Sequence, residues 1–285
     1  MRKILVTLAA AALLAMAVAV PATAITNNYQ TDNDHPFVGL VVFYDASGEF
    51  IWRCSGSLLD STVLLTAGHC TDAPAKTARV WFQQDAGAKY DPTTGLDPVT
   101  GYPETCATGT LGTLCATSDE IYDYGFDNFA GFPNTHDAGI VVLDQPISML
   151  EYGSLAAVGA LADLGTARGL KDVTFLASGY GLSLRSSANS AVGNISFRSR
   201  LMGYGKLVNL NSSLNDGYNL QTMGNGDDRG GTCSGDSGGP IFYPADTNTI
   251  VAVTSFGLNS NCRGVDFSYR VDRQEVQDWI TGVTD

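Results

Sequence analysis

A chain of 285 residues in which 29 acidic side chains outweigh 16 basic ones carries a formal charge of −13. That balance disfavours nucleic acid and anionic membranes as partners. The length suits two small domains sharing one cleft.

The first 24 residues have the form of an export signal: Arg2-Lys3, an apolar run over 4–20, and the small-x-small stretch Ala22-Thr23-Ala24. A single membrane helix is the alternative, and the cleavage site argues against it. Cleavage after Ala24 leaves a chain of 25–285 that begins at Ile25 and is expected outside the cell. No later stretch is apolar for long enough to span a bilayer. Six cysteines in an exported chain suggest three disulfides, with fifteen pairings open. The CxxC spacing of many metal sites is missing, so neither a metal nor a cofactor is expected.

Along the chain, apolar or alternating runs over 37–44, 50–58, 62–67, 79–82 and 139–143 read as a first group of strands. A long Gly/Pro/Thr/Asp-rich stretch containing Cys106 and Cys115 lies inside this group. A linker is expected over 153–165. The second group comprises 173–177, 195–202, 239–243, 249–256 and 267–271. Val276, Trp279, Ile280 and Val283 follow helical spacing near the end, and no accessory module is expected after them. Turn residues between the runs fit an all-β sandwich or a pair of barrels, which the pattern leaves undecided.

Three stretches carry chemistry. Gly235-Asp236-Ser237-Gly238-Gly239-Pro240 offers a serine among glycines, which let backbone N–H groups approach a substrate oxyanion. A serine hydroxyl needs a base, and His69 in Thr66-Ala67-Gly68-His69-Cys70 follows the apolar run Val63-Leu64-Leu65. Asp137 is the carboxylate chosen to orient it, with Asp144 the next candidate. His136 reads as structural, and His35 before Pro36 as a turn residue. The sequence over 235–239 also satisfies G-x-S-x-G, but an α/β-hydrolase needs its histidine after the serine. All three histidines precede Ser237.

In Thr66 to Cys70, in His136-Asp137 before an aliphatic strand, and in Gly235 to Pro240, the chain resembles the chymotrypsin/trypsin-like serine proteases. The resemblance covers 25–285. It implies an all-β fold of two six-stranded antiparallel β-barrels with a short C-terminal helix: first barrel about 35–155, second about 165–270, helix about 271–283. It also implies a secreted serine endopeptidase in which His69, Asp137 and Ser237 form the catalytic triad. The N–H groups of Gly235 and Ser237 then make the oxyanion hole. Ser255-Phe256-Gly257 is the substrate-pairing strand, and the disulfides are Cys54–Cys70, Cys106–Cys115 and Cys233–Cys262.

Gly231 falls where trypsin-like members hold a pocket-floor aspartate. Counting back from Tyr269 places Asp266 on the pocket wall, whereas counting forward from Cys262 places Gly264 there. Asp236 is expected to pair with the ammonium of Ile25. Partners are protein or peptide substrates and candidate protein protease inhibitors, with the chain a monomer. The alternative is a catalytically inactive binding protein on the same fold.

Overall fold

The computed structural model describes residues 25–87, 101–165, 172–183, 198–226, 228–258, 262 and 264–284. The expected export signal lies outside them.

Two antiparallel sheets dominate. The first contains β2 (Val38–Tyr44), β3 (Phe50–Leu58), β4 (Val63–Thr66), β5 (Thr77–Trp81), β8 (Cys115–Ser118), β9 (Glu120–Asp123) and β10 (Gly139–Val142), in the order β8-β5-β2-β3-β4-β10-β9. A short β1 (Gln30–Thr31) precedes it, and a hairpin of β6 (Thr108–Gly109) and β7 (Gly112–Thr113) stands apart. The sheet is nearly closed, because its end strands β8 and β9 are consecutive with only Asp119 between them. It has one strand more than expected. Residues 115–123 are of mixed polarity and half exposed, so their sequence does not read as strand; their ladders to β5 and β10 make them so.

The second barrel is closed. Strands β12 (Thr174–Gly179), β13 (Leu201–Asn209), β14 (Asn219–Met223), β15 (Pro240–Phe242), β16 (Thr249–Gly257) and β17 (Val265–Arg270) run in the order β13-β12-β15-β16-β17-β14, and β13 pairs with β14 to shut the ring. Two additions flank it: β1 pairs with β13, and β11 (Ser154–Leu155), inside the expected linker, pairs in parallel with β16. Of the strand expected over 195–202, residues 195–197 lie outside the described residues, and Leu201 and Met202 open β13. The helix expected from the 3.6-residue spacing forms over Gln274–Thr284 and buries Val276 and Ile280.

Strand alternation builds the core between and within the barrels. On β12, Phe175 and Ala177 point into the second barrel, while Leu176 joins the larger cluster shared with the first. On β2, Val38 and the run Leu40 to Phe43 are wholly buried, so both faces of that strand are covered. The disulfides Cys54–Cys70, Cys106–Cys115 and Cys233–Cys262 form as the resemblance implies.

Candidate active site

His69 sits in a single helical turn, α1 (Gly68–Thr71), directly after β4. Asp137 lies in the segment before β10 and is fully buried. Its carboxylate takes the backbone N–H of His69 at 2.7 Å, and the two oxygens lie 2.9 and 3.0 Å from His69 Nδ1. The register Gly139↔Thr66 brings these segments together. Burial opposes the imidazolium of His69, but the Asp137 charge and hydrogen bond outweigh it and hold the pKa above the ordinary histidine value. Burial likewise opposes ionisation of Asp137, yet His69 and Ser255 keep its carboxyl below the usual range.

Ser255 Oγ donates to Asp137 Oδ2. The sequence suggested only a substrate-strand role for Ser255. A register shift between Thr254 and Phe256 makes Ser255 the extra residue of a bulge, and bulges re-aim side chains. Residue pattern alone gives no signal of that shift. Asp144 lies elsewhere, exposed and bonded to Thr117 Oγ1 at 2.7 Å.

The serine loop is pressed against the histidine turn. Gly238 has φ +77°, and a Cβ there would lie 2.1 Å from Thr66 Oγ1 and 2.5 Å from Ala67 N. Only glycine fits, and the fit sets Ser237 beside the turn that carries His69. Backbone and side-chain bonds hold the loop: Ser55 N donates to the Ser237 carbonyl and Ser55 Oγ to that of Gly235, both at 2.8 Å. The N–H groups of Asp236, Gly238 and Gly239 all donate within the protein. Among the described residues, those of Gly235 and Ser237 have no protein acceptor.

Beside Ser237 opens a pocket of about 340 Å³ between Thr232–Ser234 and Thr254–Leu258. Asp266 lines it. Its Oδ2 accepts the Thr232 N–H at 3.1 Å, and burial pushes its carboxyl up to about 7. Gly231 lies behind that carboxylate, where a Cβ would come within 3.0 Å of Oδ2. Gly264 does not line the pocket. Phe256 stacks on Phe267 with centroids 4.6 Å apart, and Phe129 meets its ring at 5.3 Å. Phe256 and Gly257 pair with β17 on one side, while on the other the β15 ladder reaches β16 only as far as Val253, opposite Pro240.

Ile25 is buried in the second barrel against Gly203 and Gly230, and Thr26 exchanges two backbone bonds with Gly231 at 2.8 and 2.9 Å. Asp236 is fully buried, accepting N–H groups of Gly181 at 2.7 Å and Cys233 at 2.9 Å. Burial pushes its carboxyl up to about 7. Among the described residues, the cysteine sulfurs grouped with His69 are those of the Cys54–Cys70 disulfide and offer no thiolate to a metal.

A buried carboxylate on a histidine, a glycine-framed serine and an adjacent pocket set in the cleft of two β-barrels invite comparison with known proteins. The family model for trypsin matches residues 117–280, more than half of the chain. The chain belongs to the trypsin family.

Among its curated relatives, this trypsin-family chain is 24% identical over 232 residues to CLIP domain-containing serine protease B9 of Anopheles gambiae, a match covering 79% of this chain and 54% of that protein. It is 25% identical over 130 residues to CLIP domain-containing serine protease B10 of the same organism, covering 46% and 35%. The chain thus spans about half or less of the length of these relatives. Solved structures share the trypsin-family fold. HL collagenase superposes with a TM-score of 0.58 at 18% identity over 88% of this chain and 94% of that one. Human heparin binding protein gives 0.57 at 19% over 90% and 95%. The scabies mite inactivated protease paralogue S-D1 gives 0.58 at 15% over 92% and 99%. Among the described residues, no helix of this trypsin-family chain is long and apolar enough to cross a membrane.

Proposed function

We propose that this chain is a secreted serine endopeptidase acting on protein or peptide substrates. The observation that carries the reading is the buried Asp137 carboxylate, bonded at once to the ring and backbone of His69. That arrangement fixes the imidazole tautomer with Nε2 free as a base. His69 takes the proton of Ser237 as its Oγ attacks the scissile carbonyl. Asp137 then stabilises the imidazolium, which returns the proton to the leaving amine. Water hydrolyses the acyl-enzyme by the same route in reverse order.

The free N–H groups of Gly235 and Ser237 support an oxyanion hole, in which one such donor is worth roughly 3–4 kcal/mol. The open edge of Ser255 to Gly257 suits a substrate strand added by backbone pairing. Asp266 in an otherwise mixed pocket supports acceptance of Lys or Arg beside apolar side chains. The ammonium of Ile25, released by signal cleavage, is assigned to Asp236.

The test is a diverse peptide library together with labelling of Ser237 by an organophosphate. Cleavage and stoichiometric labelling are expected. A protein using this fold for binding alone, the second reading, takes no label; the names inactivated paralogue and heparin binding protein indicate such relatives of the fold. Absence of both label and cleavage in the secreted chain would falsify the endopeptidase reading.

A further inference from the structure

We propose that Asp123 is a positioning residue for His69, acting through the Phe126 ring and through its own charge. The proposal rests on the reading of His69 as the general base. Asp123 ends β9, opposite Gly139 in the ladder and so two residues from Asp137. Its Oδ1 accepts the N–H groups of Gly125 at 2.5 Å and Phe126 at 2.7 Å, turning the chain back immediately after the strand. The neighbouring Tyr124 N–H is tied to the carbonyl of Ala138 at 3.0 Å. This turn sets the Phe126 ring 5.8 Å from the His69 ring, tilted by 59°.

The other oxygen of Asp123 faces the helical turn that bears His69. Thr71 Oγ1 lies 3.3 Å from Oδ2 and 3.0 Å from the carbonyl of Gly68, which share its single hydroxyl proton. Gly139 leaves Thr71 room, since a Cβ at 139 would come within 2.5 Å of Oγ1. One carboxylate therefore bridges the segment that carries the base and the segment that covers it. The tilted Phe126 ring flanks the imidazole on that side.

The charged groups facing His69 are Asp137, from the segment before β10, and Asp123, from β9. Asp72, just after α1, faces Asp123 and adds to the burial that raises that carboxyl. The Cys54–Cys70 disulfide nearby does not titrate. A negative Asp123 thus favours the imidazolium, the form His69 takes while the serine is attacking. Removing the charge alone should make His69 easier to deprotonate. The acid limb of kcat/KM should then move to lower pH, the opposite of what general damage would do.

The experiment uses the full secreted chain and three variants. Asp123→Asn keeps an acceptor for both N–H groups and drops the charge, Asp123→Ala drops both, and Phe126→Ala drops only the ring. His69 is titrated by NMR; with three histidines in the chain, the spectrum of His69→Ala assigns it. Expected for Asp123→Asn are a lower His69 midpoint, an acid limb shifted the same way, and a kcat/KM at about pH 8 within about threefold of wild type. Asp123→Ala should lose at least about tenfold across the pH range, and Phe126→Ala should raise KM without repeating the Asn shift. An unchanged midpoint in Asp123→Asn, or equal losses in the Asn and Ala variants, overturns the proposal. Should Asp123→Ala fail to fold, the Asn titration decides alone. That titration reads His69 directly, so it stands even if the wild-type chain cleaves no peptide.

Discussion

Gly231 backs directly onto the carboxylate of Asp266, which lines the pocket: a Cβ at 231 would stand 3.0 Å from Oδ2. The negative group thus enters from β17 rather than from the loop before Ser237. Enclosed there, it titrates near neutrality, pushed up to about 7 chiefly by burial, with the Asp236 charge adding and the Thr232 bond opposing. On the proposed reading the charged form meets a basic substrate side chain, and that form grows as pH rises through about 7. The ratio of kcat/KM for Lys or Arg substrates over Leu or Phe substrates should therefore be larger at about pH 8 than at about pH 6. In Asp266→Asn that ratio should be low and flat with pH. A wild-type ratio that does not change over this range places Asp266 outside substrate contact.

Ser237→Ala and His69→Ala should each reduce turnover by several orders of magnitude with fold and secretion retained. Asp137→Asn should cost about 10⁴-fold in kcat, since the amide favours the wrong tautomer. Asp144→Asn serves as the control, because that exposed carboxylate is bonded to Thr117 instead. Equal losses in the two asparagine variants would remove Asp137 from the mechanism.

Ser255→Ala tests the bulge. Removing a hydrogen bond to a charged group costs about 1.5–3 kcal/mol, which here weakens the hold on Asp137 rather than on substrate. kcat should fall by roughly ten- to a hundredfold with KM less affected. If KM alone rises, Ser255 serves the substrate strand and not the carboxylate.

The proposed pairing of Asp236 with an Ile25 ammonium is testable by pH. An α-amino group has a pKa of about 8 when free; pairing raises that value, and the stabilisation it brings is lost as pH climbs through the raised value. Adding one residue before Ile25 should move the amine out of reach and leave Asp236 buried without a cation. Activity should drop at least about tenfold, and the fall on the alkaline side of the wild-type profile should vanish. N-terminal sequencing of the secreted chain should read Ile25 first. Full activity in the extended form argues for a different cation at Asp236.

How far the sequence could be read follows from steric uniqueness. Gly238 admits no substitute against Thr66, so the motif around Ser237 is written in residue types and could be recognised. The same holds for the helical spacing of Val276 and Ile280. Strands β8, β9 and β14 were hidden because their residues are mixed in polarity and acquire their state from neighbours. Buried Asn219, for example, donates its side-chain N–H to the Pro133 carbonyl at 2.7 Å, across 86 residues of chain. The contacts of Ser255 with Asp137 and of Asp123 with Thr71 depend on a bulge and a strand end. Neither leaves a pattern in composition or spacing. Asp266 was legible only as one of two alignments, and its place opposite Gly257 in the ladder depends on pairing that the sequence does not spell out.

The single-residue join between β8 and β9 has a consequence for self-association. An invading strand needs a gap of about 9.6 Å, twice the spacing of neighbouring strands. At this seam the chain runs from Ser118 through Asp119 to Glu120, and two peptide links span no more than about 7 Å. The two sheet ends are tethered too closely for a foreign strand to enter at the join. The protein gains from this at high concentration, because the end of the seam that would otherwise template aggregation is tied by the covalent chain itself.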